Sequence, residues 1–147
     1  MNFKNMQNSI TFLMSNEHKV IFAKFNKILD GSVVDKKEML ELIKSFKDDL
    51  LAHMKLEEQA IFNIEDIGSN EMKQIFVKLL EEHSQIRRML VDFARLDEET
   101  VDDLKDILAK HEALEAGTLY PKLDRELSDD LKEEILKKLS EGSVYGV

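Results

Sequence analysis

Two stretches repeat one arrangement of chemically capable residues. His53-Met-Lys-Leu-Glu57 and His111-Glu-Ala-Leu-Glu115 each set a histidine and a glutamate four residues apart. On a helix, residues i and i+4 share a face, about 5–6 Å apart between Cβ atoms. All four fall on the apolar stripes of their segments, where an ionisable group is costly unless it is paired or bound to a metal. The remaining histidines, His18 and His83, lie on such stripes too. Glu57 and Glu115 left ionised in a core without compensation would be strongly unfavourable. Four imidazoles and two carboxylates aimed into one core therefore point to a two-metal site. His18 and His53 could ligate one ion and His83 and His111 the other, with Glu57 and Glu115 bridging. With one oxo or hydroxo bridge, each ion is five-coordinate and keeps an open position. Imidazole with carboxylate suits iron, manganese or zinc and does not choose among them. The alternative is a metal-free helical interaction protein with a buried polar network.

The elements that must position these residues are helical almost throughout by apolar period. A first helix is expected over about residues 5–29, with Ile10, Met14, His18, Ile21, Phe25 and Ile28 on one stripe, broken by Asp30-Gly31-Ser32. Asp35, with Glu38 three residues on, starts a second helix in the manner of a capping box. That helix carries Leu40, Ile43, Phe46, Leu50, His53, Glu57, Ala60 and Ile64, and Gly68-Ser69-Asn70 ends it and restarts the chain. A third helix shows Met72, Phe76, Leu79, His83, Ile86, Leu90 and Phe93. Asp97-Glu98-Glu99-Thr100 opens a fourth, with Val101, Leu104, Leu108, His111, Glu115 and Leu119, expected to stop before Pro121. A short fifth helix follows Ser128, and Gly142 opens a loose tail. His53 and His83 each stand 15 residues from Gly68, and His83 and His111 each 14 from Asp97. At a rise of about 1.5 Å per residue, short turns bring these three histidines to one level. His18 joins them if the first connection absorbs a few residues. The expected architecture is all-α, an up-down-up-down four-helix bundle with a short extra C-terminal helix.

The 147 residues suit one domain with a real core. A net charge of -9 argues against nucleic acid or an anionic membrane surface as partner. The absence of cysteine removes disulfides, thiolate metal sites and thiol chemistry. The first residues lack the pattern of a signal peptide, and no run approaches the roughly 18 apolar residues of a membrane span. A cytoplasmic location is expected.

Two metal motifs do not fit. Ferritin-like di-iron bundles use Glu-x-x-His pairs, but Ser15, Leu50, Leu80 and Leu108 stand three before the histidines. The His-Glu-x-x-His zinc pattern is broken because Glu115, not histidine, follows His111 by four. The order His, His-x-x-x-Glu, His, His-x-x-x-Glu on successive helices instead resembles the hemerythrin-like HHE cation-binding family. The local runs from His53 to Phe62 and from His111 to Pro121 resemble that family's two motifs, and the likeness spans about residues 10–125. The resemblance implies a single hemerythrin-like domain over 1–147, with the bundle over about 5–120 and a terminal helix over about 128–141. It implies two non-haem iron ions, oxo- or hydroxo-bridged, held by His18, His53, Glu57, His83, His111 and Glu115. It also implies O2, NO or peroxide as the small partner, in sensing, scavenging or iron handling.

Departures from the family text refine that expectation. Oxygen carriers place a fifth histidine one turn after the third-helix histidine, where this chain has Arg87, and bridge with aspartate where it has Glu115. The four-histidine, two-glutamate set is more similar to the di-iron proteins of iron–sulfur cluster repair and to iron-responsive regulatory domains. The cysteine-bearing domain of many repair proteins has no counterpart in this sequence. Asn63 and Ala116 replace a proline and a second glutamate of the motifs, which alters helix ends and surroundings rather than ligands. Glu17, Glu58, Glu82 and Glu112, each beside a candidate ligand, are expected mostly at solvent, with a supporting hydrogen bond or proton relay as the other role open to each. Arg87 is expected to pair with a surface carboxylate or to cover an open metal position. Tyr120 is expected in the packing, within reach of the site.

Overall fold

In a computed structural model of the chain, residues 9–64 and 69–142 are described, and every regular element among them is helical. Helix α1 (Ile10–Leu29) begins at Ser9, whose side chain accepts from the Phe12 N–H. The proposed start near residue 5 lies outside the described residues. Gly31 ends α1 with a φ of 76°, a region that glycine enters without a Cβ clash. Helix α2 (Lys36–Ala60) is capped by Asp35, which accepts from Glu38 N–H at 3.1 Å, as the sequence predicts. It stops at Ala60, and Ile61–Asn63 form a turn, so Ile64 lies beyond the helix rather than on it. The proposed turn residue Gly68 lies outside the described residues. Helix α3 (Asn70–Asp92) is capped by Ser69, and Phe93–Arg95 tighten into a 3₁₀ turn instead of prolonging it. Leu96 then takes a left-handed φ of 52°, and Asp97 caps helix α4 (Glu98–Leu114).

The chain does not stop before Pro121. Glu115–Leu119 form a π-helical turn in which Tyr120 N–H bonds Glu115 five residues back, and helix α5 (Tyr120–Glu126) continues. Pro121 sits at the start of α5, directly after the π turn, and its fixed φ suits a helical backbone. The extra residue in the π turn resets the phase after Glu115, so that Leu119, Tyr120 and Leu123 all face the interior. Helix α6 (Asp129–Gly142) packs Ile135 and Leu139 inward against α1 and α2. Gly142 is part of that helix, and a Cβ there would lie 2.5 Å from Leu56 Cδ1, so the small residue permits close contact with α2. The tail after it is outside the described residues.

The apolar core is divided. One cluster joins Ile10 and Met14 of α1, Leu56 and Ala60 of α2, Met72, Phe76 and Leu79 of α3, and Leu119, Tyr120 and Leu123. The other joins Ile21 and Phe25 of α1, Ile43, Phe46 and Leu50 of α2, Ile86 and Leu90 of α3, and Leu104 and Leu108 of α4. Between them every long helix carries its histidine. Successive helices meet the two clusters in opposite order along the chain. Apolar burial on both sides of the polar layer fixes the helices, at about 25 cal/mol per Å² removed from water, and so fixes the histidines.

Candidate metal centre

The six residues singled out in the sequence meet in this layer. His18, His53, Glu57, His83, His111 and Glu115 are all buried, none more than 6% exposed. His18 and His53 approach Nε2 to Nε2 at 2.9 Å, and His83 and His111 do the same at 3.1 Å. Glu57 Oε1 lies 3.1 Å from His53 Nε2 and 3.6 Å from His83 Nε2. Glu115 divides its oxygens, with Oε1 3.4 Å from His18 Nε2 and Oε2 3.2 Å from His111 Nε2. Each carboxylate thus lies between a histidine of one pair and a histidine of the other. Two groups of converging ligand atoms result, Glu57 with His83, His111 and Glu115, and His18 with His53 and Glu115.

The donor set fits a cation. Glu57 Oε1 and both oxygens of Glu115 are buried without a hydrogen-bond partner among the described residues. Buried polar atoms are normally satisfied, so such a cluster calls for a partner of another kind. The imidazoles turn their Nε2 atoms inward, so lone pairs converge on one another. The fitting counter-charge is a proton or a metal ion. Among the described residues Tyr120 supplies a hydroxyl donor, giving its O–H to Glu57 Oε2 at 2.6 Å. Burial and the two carboxylates together push its phenol well above the ordinary range.

Electrostatics of the protein part follow the same logic. Burial works against a charged imidazole, but the carboxylates outweigh it. His111 is raised to about 9 by Glu115, Glu57 and Glu82, and His53 is raised well above its ordinary value by Glu57 and Glu17. His18 is raised by Glu112 and Glu115 against the same burial. Burial alone would lift Glu57, yet His53 and its hydrogen-bonding neighbours hold its carboxyl well below the ordinary range.

A residue set that the sequence placed mostly at solvent belongs to the site. Glu82 Oε1 lies 2.9 Å from His111 Nδ1, and Glu58 Oε2 lies 2.6 Å from His83 Nδ1. Glu112 meets His18 Nδ1, and Glu17, itself 2% exposed, faces His53 Nδ1 at 3.6 Å. Arg87 pairs with Glu58 at 2.7 Å, as expected of a surface carboxylate partner. The missed signal was position. Each of these glutamates stands one residue from a stripe ligand, about 100° around the helix, where a side chain reaches the neighbouring helix rather than solvent.

A family model described as the Hemerythrin HHE cation binding domain matches residues 9–123. The chain belongs to the hemerythrin family. The matched span runs from the Ser9 cap into α5 and includes all six converging residues. Searches of curated proteins and of solved structures found no match. As a hemerythrin HHE domain the chain is a cation-binding protein, and its buried histidine and glutamate groups are the residues that could hold the metal. No helix among the described residues is long and apolar enough to cross a membrane.

Proposed function

We propose that this hemerythrin domain holds two iron ions between four antiparallel helices and binds or reacts with O2, NO or peroxide. The architecture is an up-down-up-down bundle of α1 to α4, with α5 continuing the fourth helix and α6 as the extra C-terminal helix. His18 and His53 would hold one ion, His83 and His111 the other, and Glu57 and Glu115 could serve both. The observation that carries this is Glu115, whose two oxygens face histidines of different pairs. A carboxylate so shared could serve two cations.

Bound iron would supply reversible coordination of a small molecule or electron transfer to it. The protein's part is to hold the ligands, exclude bulk water and admit only small partners. Six groups at most 6% exposed shield the site from bulk solvent and favour a partner far smaller than a metabolite. The Tyr120 hydroxyl donates to Glu57 Oε2 and leaves Oε1 to face the histidines. The net charge of -9 disfavours nucleic acid and anionic membrane as partners, and a cytoplasmic role in sensing, scavenging or iron handling fits these features.

A second reading is a regulatory or repair-type iron module without turnover. It draws support from the same enclosure, because a metal sealed in the core reports its presence through the stability of the whole fold.

The test is elemental analysis of protein purified without added metal, with visible spectra before and after reduction and exposure to air. The expected result is about two irons per chain with a near-ultraviolet oxo-bridge band, and loss of both in His53→Ala and Glu115→Ala. No metal after anaerobic ferrous reconstitution would overturn the proposal. Steady-state assays with peroxide and NO separate turnover from binding alone.

A further inference from the structure

Four carboxylates surround the candidate metal centre in a regular order. Glu17 of α1 faces His53 of α2, Glu58 of α2 faces His83 of α3, Glu82 of α3 faces His111 of α4, and Glu112 of α4 faces His18 of α1. Each helix gives one carboxylate to the next helix and receives one from the previous helix, and the fourth closes on the first. The order is one-handed for a geometric reason. Right-handed helices that run in opposite directions turn in opposite senses when viewed from one end. The same rotational direction is therefore reached by the residue before a ligand on α1 and α3 and by the residue after a ligand on α2 and α4. The sequence has that alternation: Glu17 precedes His18 and Glu82 precedes His83, whereas Glu58 follows Glu57 and Glu112 follows His111.

We infer that Glu17, Glu58, Glu82 and Glu112 are positioning residues that form a closed ring around the metal centre, each fixing the imidazole of the next helix by its Nδ1 side. The inference rests on the two-metal reading above. A carboxylate at Nδ1 keeps the proton on that nitrogen and leaves the Nε2 lone pair pointing inward, which sets both tautomer and ring orientation. All four histidines present Nε2 to the centre and Nδ1 to a glutamate, so one rule accounts for four orientations. The links are unequal. Glu58 and Glu82 make hydrogen bonds at 2.6 and 2.9 Å, and Arg87 steadies Glu58 from outside. Glu112 and Glu17 face His18 Nδ1 and His53 Nδ1 as ion-pair contacts without hydrogen-bond geometry, Glu17 at 3.6 Å, so these two links are the looser pair.

Zinc titration with nitrogen-15 NMR of the histidine rings tests the ring, because zinc is diamagnetic and suits the same ligands. In the zinc-loaded parent, four Nδ1–H protons should be seen. Glu82→Ala should remove the His111 Nδ1–H signal on the neighbouring helix, leave that of the adjacent His83, and weaken zinc binding about 10–100-fold. Glu112→Ala should act in the same way on His18. Glu82→Gln keeps a carbonyl acceptor and should retain the His111 signal, shifted, with a smaller loss of affinity. If Glu82→Ala fails to fold, Glu82→Gln decides, and an unshifted His111 proton with zinc affinity within twofold of the parent overturns the ring. Intact signals and parent-like affinity in Glu82→Ala overturn it equally. A parent that binds neither zinc nor iron would overturn the two-metal reading itself, which separates the two failures.

Discussion

At the residue scale the site is a contest between protons and metal for the same nitrogens. In the metal-free protein His111 is raised from 6.5 to about 9 because its carboxylate neighbours outweigh its burial. A raised folded value means that its contribution to stability is fully present below pH 6.5 and is lost as pH rises through about 9. The shift corresponds to a contribution on the order of 3 kcal/mol. Metal binding must displace this proton, so metal affinity should rise over the same window. Urea denaturation of metal-free protein across that range should show stability falling with pH, and competition for zinc should show affinity increasing. A flat affinity profile would mean that the imidazoles are not ligands. Glu57 has the opposite sign. Its carboxyl is held low, so its contribution is present above the ordinary carboxylate range and disappears only as pH falls through its depressed value.

At the element scale the helix ends are fixed partly from far away in sequence. The first N–H groups of α1 are taken by Asp124 of α5, with Ile10 N at 2.9 Å and Thr11 N at 3.1 Å, and Thr11 Oγ1 adds a bond at 2.7 Å. Lys132 of α6 approaches the same carboxylate at 3.3 Å. One aspartate therefore ties the start of the first helix to the last two. Asp124→Ala should destabilise the protein by about 1–2 kcal/mol, in the upper range for a helix cap, because N–H donors and a cation lose their partner together. Chemical denaturation checks this, and Asp124→Asn should recover part of the loss. The π turn at Glu115–Leu119 is the other element that matters, since it begins at Glu115 and re-phases Tyr120 onto Glu57.

At the scale of the whole molecule, the polar layer splits the core into two apolar clusters. Without metal, this layer holds unpartnered carboxylate oxygens where apolar packing would otherwise be continuous. Metal that binds the folded and not the unfolded chain should therefore raise the melting temperature. The linkage amounts to about 4 kcal/mol at a free concentration roughly 1,000 times the Kd. Calorimetry of metal-free and iron-loaded protein checks this, and equal melting temperatures would count heavily against a metal in the core.

The sequence by itself determined the helical class, the cap at Asp35, and the six converging residues. These depend on local rules, since apolar periodicity places a side chain on a face and equal distances from a turn place two side chains at one depth. It could not place Glu17, Glu58, Glu82 and Glu112, which lie at the edge of a stripe. Whether an edge residue meets solvent or a neighbouring histidine depends on which helix lies beside it and which way that helix runs. Nor could it carry the fourth helix through Pro121, because the π turn is held by the fit of Leu119 and Tyr120 in the core. Only the tertiary structure made those choices, because they are contacts between helices far apart in the chain, as when Glu112 meets His18.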